Sequence, residues 1–204
     1  MVSVRAVVLS CTLKRSPAKS NTELLTSVVV DELRERDVDV EQIRVVDREV
    51  PRGVETDLGG ADEWPEIHRR LLESEILIVA TPTWLGQPSS VSRQVLERMD
   101  SMMSETDDAG LPVAYNRVAG VVVTGNEDGA HHVISETNGA LIDVGYTVPG
   151  QSWTYWNMGP GPGPNYPDVD HGHQWAHRTG RMMASNLVAV ARALQQAPIP
   201  VPPS

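Results

Sequence analysis

Short runs rich in valine and isoleucine alternate along this chain with longer segments of helical spacing, and that alternation limits the folds open to it. The runs are 4–10, 42–46, 76–80, 119–124 and 146–150. Three of them are nearly continuous in apolar residues, as strands buried on both faces must be. Between them lie segments whose apolar residues recur every three or four positions: 21–36 (Leu24, Leu25, Val28, Val29, Leu33), 64–74 (Ile67, Leu71, Leu72), 89–102 (Val91, Val95, Leu96, Met99), 129–144 (Val133, Ile134, Leu141, Ile142) and 173–195 (Trp175, Met182, Met183, Leu187, Val190). Strand–helix alternation calls for a parallel sheet with right-handed crossovers. The expectation is a three-layer, doubly wound α/β domain over residues 1–196, with five parallel strands and no internal repeat. Two segments break the pattern. Residues 50–63 hold two glycine turn signals, and 158–167 reads MGPGPGPNYP, which forms neither a helix nor a central strand. Residues 197–204 are proline-rich and are expected to be mobile.

Charge and cysteine content narrow the function classes. A formal net charge of −10 argues against general nucleic-acid binding, which relies on basic residues at phosphates. No apolar stretch approaches the roughly 20 residues of a membrane span, and the apolar run in MVSVRAVVLSCTL is too short for a secretory signal. The single cysteine, Cys11, excludes an internal disulfide and favours a reducing compartment, so a cytoplasmic protein is expected. The only two lysines, Lys14 and Lys19, flank Arg15 in one loop. They read as a local positive field that attracts anions, or as a chance cluster.

In an open α/β sheet, ligands sit beyond the carboxyl ends of the strands. Three loops there have unusual compositions. The first, LSCTLKRSPAKSNT (9–22), has no glycine but carries Ser10, Thr12, Ser16, Ser20, Asn21 and Thr22, with Lys14 among them. It lacks the glycine spacing of a dinucleotide or Walker loop. Backbone N–H groups at a helix start, helped by hydroxyls and amides, can still hold a phosphate. The competing reading is a capping box, Ser20 with Glu23; capping needs one such residue and not six. The second loop, TPTWLGQP (81–88), sets Trp84 between prolines as a flat platform, the alternative being an ordinary core tryptophan. The third, TGNEDGAHH (124–132), offers Gly125 and Gly129 for close backbone approach and Asn126 as donor and acceptor. Glu127 and Asp128 fall at a helix start, where the dipole favours them, so they are not read as an acid–base pair. His131 and His132 are read as a surface pair.

Taken together, the three loops resemble those of the flavodoxin-like, NADPH-dependent FMN reductase family over about residues 4–157. TGNEDGAHH is the most specific match, and TPTWLG is similar to that family's TPTYWG-type loop. The resemblance implies a sheet order 2-1-3-4-5 and bound FMN. Carried over by position, Thr12, Ser20, Asn21 and Thr22 contact the phosphate, with Ser10 and Lys14 in the same loop. Pro82, Thr83, Trp84, Leu85 and Gly86 border the ring, and Thr124, Gly125, Asn126 and Gly129 complete the pocket. Cys11 and Thr12 stand where the family usually has Gly-Ser. The implied activity is hydride transfer from NADPH or NADH to the flavin, with electrons passed to a small-molecule acceptor such as a quinone, an azo or nitro compound or free flavin. No side chain need act as acid or base. Homodimers or homotetramers are implied too, with the Met99–Met103 stretch as a contact face or as core.

The alternatives are a flavodoxin-type electron carrier, which the acidity suits, and a receiver-like signalling domain. The latter needs acids after the first strand, where Ser10 and Cys11 stand, and a late lysine, which is missing. His173 and His177 in DVDHGHQWAH share a helix face, as metal ligands do, but no further ligand pairs with them, and no metal is expected. No G-x-S-x-G elbow supports hydrolase chemistry. The 158–167 loop has no assigned role.

Overall fold

A computed structural model of the chain describes residues 3–201. Its elements run β1 (Val4–Ser10), α1 (Asn21–Arg34), β2 (Val38–Arg44), α2 (Trp64–Leu72), β3 (Ile76–Trp84), β4 (Gln87–Pro88), α3 (Ser90–Arg98), β5 (Val118–Gly125), α4 (Ala130–Val144), β6 (Trp153–Asn157) and α5 (His173–Gln196). Five strands pair in parallel in the order β2-β1-β3-β5-β6, and β4 pairs antiparallel with the end of β3. Leaving out that two-residue strand, this is the order 2-1-3-4-5, and the fold is flavodoxin-like.

Side-chain alternation along the strands divides the core into two layers. Val7, Leu9, Val79 and Val121 face Trp64, Ile67 and Leu71 of α2, Val95 of α3 and Val133 of α4. Ala6, Val8, Ile78 and Val122 face Leu25 and Val29 of α1 and Met183 and Leu187 of α5. The central strands β1, β3 and β5 are therefore buried on both sides, which is why their sequences are nearly unbroken in apolar residues.

Three expectations need correction, and a fourth is decided between its two alternatives. The second strand is 38–44 rather than 42–46. Its sequence VDVEQIR alternates because it lies at the sheet edge, and residues 45–47 turn as a short 3₁₀ segment. The last strand is Trp153–Asn157, not 146–150; Thr147 makes only an isolated bridge to Val118. The third strand does not stop at Ala80 but continues through Trp84, so TPTW is strand and only Leu85 and Gly86 form the turn. Met99 and Met102 belong to the core, leaving Met103 as the exposed methionine of that stretch.

The irregular segment 50–63 is tied down by a wholly buried ion pair. Arg98 Nη2 donates to Asp62 Oδ2 at 2.6 Å, with both side chains fully enclosed. The same guanidinium donates to the carbonyls of Pro51, Glu55 and Thr56. Ile199 exchanges two hydrogen bonds with the Asn116 side chain; residues 202–204 of the proline-rich tail lie outside the described residues. Among the described residues, no helix is long and apolar enough to cross a membrane.

Candidate functional site

The strand order reverses between β1 and β3, and the loops beyond their carboxyl ends open a cleft there. Its empty space is about 570 Å³, part of it open to solvent. One end is walled by Thr12, Leu13 and Lys14 and by the helix start Ser20, Asn21 and Thr22. Pro82, Thr83 and Trp84 form a second wall, and Thr124, Gly125 and Asn126 a third. All three loops singled out in the sequence thus meet at one cavity.

The first loop holds its shape without glycine because charged residues behind it bind its backbone. Arg44, at the end of β2, donates through Nη1 to the carbonyls of Ala18 (3.0 Å) and Lys14 (3.3 Å). Its Nε donates to Glu23 Oε1 at 2.8 Å, and its Nη2 pairs with Glu23 Oε2. Hydrogen bonding to Glu23 pushes the Arg44 guanidinium further up. Asp47 accepts from both the Ser16 N–H (2.9 Å) and hydroxyl (2.5 Å), and those bonds hold its carboxyl below the usual range. Ser20 caps α1 by accepting from the Glu23 N–H at 3.3 Å. The reciprocal half of a capping box is missing, because the Glu23 carboxylate instead accepts from the Ser10 hydroxyl at 2.8 Å. Ser10 therefore turns behind the loop and does not line the cleft. Lys14 lines it, with its ammonium on the Lys19 carbonyl at 3.3 Å. The first-turn N–H groups of α1 at Asn21 and Thr22 have no intrahelical acceptor and point to the cleft end, where an anion is favoured. Thr22 Oγ1 lies 2.7 Å from Thr124 Oγ1, joining first and third walls.

The second and third walls touch backbone to backbone. Leu85 and Gly86 have φ of 52° and 72°, a tight hairpin turn with both central residues left-handed. Leu85 is 91% exposed at its tip and Trp84 50% exposed beside the cleft. A Cβ on Gly129 would lie 2.8 Å from Gly86 Cα, so Gly86 and Gly129 pack together behind the cleft rather than lining it. The Gly86 N–H also donates to Glu127 Oε1 at 3.3 Å. Thr83 Oγ1 is buried and has no hydrogen-bond partner among the described residues, although Thr83 lines the cleft. Such an orphaned hydroxyl is expensive unless a ligand satisfies it.

A fourth wall was not legible in the sequence. Trp156, Asn165 and Tyr166 also line the cleft, the last two from the MGPGPGPNYP segment. That segment lies against the third loop, with Met158 N–H donating to the Gly125 carbonyl (3.0 Å) and Gly163 N–H to the Asn126 carbonyl (2.7 Å). The histidines of DVDHGHQWAH support it. His173 stacks on Tyr166 with ring centroids 4.0 Å apart and places Nε2 2.8 Å from the Tyr166 carbonyl. His177 Nε2 lies 2.6 Å from the Tyr166 hydroxyl. Burial raises the Tyr166 phenol and lowers the His177 imidazolium, so it favours the neutral form of both partners in this hydrogen bond. Among the described residues, no group of three or more His, Cys, Asp or Glu is placed to hold a metal ion. His131 is exposed and meets Trp153 and Tyr155 edge-on, away from the residues that line the cleft.

Comparison with known proteins agrees with this geometry. A family model described as NADPH-dependent FMN reductase matches residues 4–159. The 8-demethyl-8-aminoriboflavin-5'-phosphate synthase of Streptomyces davaonensis is 33% identical over 208 residues, covering 97% of this chain and 80% of that protein. A Mycobacterium bovis protein named divalent metal cation transporter MntH is 36% identical over 199 residues; the match takes in 94% of this chain, which spans only 29% of that protein's length. Among solved structures, RosB with bound intermediate 8-demethyl-8-formylriboflavin-5'-phosphate superposes with a TM-score of 0.88 at 32% identity, covering 97% of this chain and 82% of that one. The NADH:FMN oxidoreductase EMOB shares the fold, with a TM-score of 0.64 at 16% identity over 96% of this chain and 92% of that one.

Proposed function

The chain belongs to the NADPH-dependent FMN reductase family of oxidoreductases, and we propose that it holds FMN in the cleft, draws hydride from NADPH or NADH and serves a small electron acceptor. The observation that carries this reading is the meeting of three loops at one cleft with a helix start at its end. In this reading the Asn21 and Thr22 N–H groups and the Thr12 and Thr22 hydroxyls hold the phosphate. Pro82, Thr83 and Trp84 lie along the ring, and Thr83 Oγ1 gives its unmet hydrogen bond to the ligand. Bound FMN supplies the hydride chemistry, accepting from a reduced nicotinamide and delivering to a quinone, an azo or nitro compound or free flavin. The protein's part is to orient and to keep one side open, as the half-exposed Trp84 allows. The acids near the cleft are otherwise engaged: Glu127 holds the Gly86 N–H, and Glu23 is committed to Arg44 and Ser10. Assembly as a homodimer or homotetramer is part of the same proposal, checked by light scattering.

The experiment is an absorption and fluorescence titration with FMN, followed by steady-state oxidation of NADPH and NADH with menadione as acceptor. Micromolar FMN binding with turnover is expected; no binding at micromolar FMN refutes the reading. Bound FMN without turnover would favour a flavodoxin-type carrier. Thr22→Ala should weaken FMN at least ten-fold more than riboflavin, and equal losses would contradict the phosphate assignment.

A second reading is favoured by the 33% identical relative, whose name makes a modified riboflavin phosphate its product. Here FMN is the substrate as well as the occupant of the cleft. Mass spectrometry of flavin released after turnover separates the two readings: unchanged FMN supports the reductase, and a flavin of altered mass supports modification.

A further inference from the structure

The segment 158–168 lies across the end of the cleft that holds Ser20, Asn21 and Thr22. Asn21 Nδ2 donates to Asn165 Oδ1 at 3.3 Å, joining side chains 144 positions apart. Asn165 is engaged from its other side too: its Nδ2 donates to Asp168 Oδ2 at 3.1 Å, and the same oxygen accepts the Asn165 N–H at 3.0 Å. The segment is fixed at both flanks. Gly163 N–H holds the Asn126 carbonyl at 2.7 Å, and Tyr166 is pinned by His173 and His177. Pro160, Pro162, Pro164 and Pro167 each restrict a backbone angle. This is a standing wall and not a hinged lid.

Resting on the reading that FMN occupies the cleft with its phosphate at the start of α1, we infer that Asn165 and Asp168 close the phosphate end and select a flavin 5′-monophosphate over a flavin dinucleotide. Two effects act in one direction. A ligand that continues past its first phosphate must displace Asn165 from both Asn21 and Asp168. Displacing Asn165 also strips the Asp168 carboxylate of the two donors it now holds, leaving beside the second phosphate an acceptor with no donor to offer and a charge of the same sign. A terminal monophosphate meets neither penalty. The selectivity so assigned resides outside the three loops that carry the family likeness, in a segment whose placement depends on contacts far apart in sequence.

Fluorescence-quench titrations of the full chain with FMN and with FAD test the inference. The unaltered protein is expected to bind FAD at least 100-fold more weakly than FMN. Asn165→Gly, which removes the bridge, and Asp168→Asn, which removes the charge at nearly constant shape, are each expected to shrink that ratio at least five-fold. Should Asn165→Gly fail to fold, Asp168→Asn carries the test. FAD binding within three-fold of FMN in the unaltered protein, or a ratio unmoved by Asp168→Asn, overturns the inference and leaves the FMN reading standing. Absence of FMN binding removes that reading and the inference with it.

Discussion

Two glycines ten positions apart are expected to respond to alanine with opposite signs. Gly129 is the N-cap of α4 at φ 107°, and an added Cβ would meet the Gly86 backbone at 2.8 Å (Cα) and 3.2 Å (carbonyl oxygen). That is about 0.6 Å inside ordinary carbon–carbon contact, and the obstacle is backbone, which cannot swing aside as a side chain can. Positive φ with a side chain costs about 1–2 kcal/mol, and forcing the two loops apart adds about 1–3 kcal/mol. Gly129→Ala should therefore destabilise by roughly 2–5 kcal/mol, lowering Tm by roughly 5–15 °C in a domain of this size. Gly139 lies inside α4 with helical φ, exposed and with nothing within 4 Å of an added Cβ. Gly139→Ala should stabilise by up to about 1 kcal/mol through helix propensity alone. Thermal melts followed by circular dichroism read both, and FMN titration should show weaker binding only for Gly129→Ala. A Gly129→Ala protein melting within about 2 °C of the parent, or below-parent stability in Gly139→Ala alone, would refute the claim that backbone contact between Gly86 and Gly129 sets the cleft.

Four further outcomes follow from the charged and buried groups. For Asp62, burial alone would raise the carboxyl, but the bonds from Arg98 and from the Leu58 and Trp64 N–H groups prevail and hold it below the usual range. Its contribution to stability is thus full above the unfolded value near 3.9 and lost as pH falls through the lower folded value; urea melts at pH 2–5 should show this fall, and Asp62→Asn should flatten it. Arg98→Met leaves that carboxylate buried and unpaired, for a loss of about 3–5 kcal/mol, larger than in the Asp62→Asn/Arg98→Met double variant. Arg44→Met uncovers the Glu23 charge beside the start of α1 and should weaken FMN about ten-fold but riboflavin much less, with Glu23→Gln restoring part of the loss; equal effects on both ligands would count against it. Burial pushes the Cys11 thiol up to about 12, so a disulfide reagent at pH 8 should label it only on unfolding, and rapid labelling of the native protein would contradict the buried position.

The sequence by itself determined the strands whose neighbours bury both faces. Val4–Ser10, the start of β3 and β5 are legible because burial on two sides demands unbroken apolar runs, and no other arrangement rewards them. The helical periods between them, the flavin-type loops and hence the family were legible for the same kind of local reason. The edge strands were not. VDVEQIR carries alternating polar residues because only one side is covered, and WTYWN carries aromatics that no strand period separates from a loop, so tertiary pairing alone decided their bounds. The strand character of TPTW likewise depends on its partners Thr124 and Pro88, not on its own residues. The fourth wall is the extreme case. Nothing periodic marks Asn165 or Tyr166, and their place at the cleft rests on bonds to Asn21, Asn126 and His177. Local sequence encodes which residues prefer to be buried or bent. Which distant residues then meet at a site is settled only when the chain closes loops over a hundred residues long, and there the tertiary structure decides.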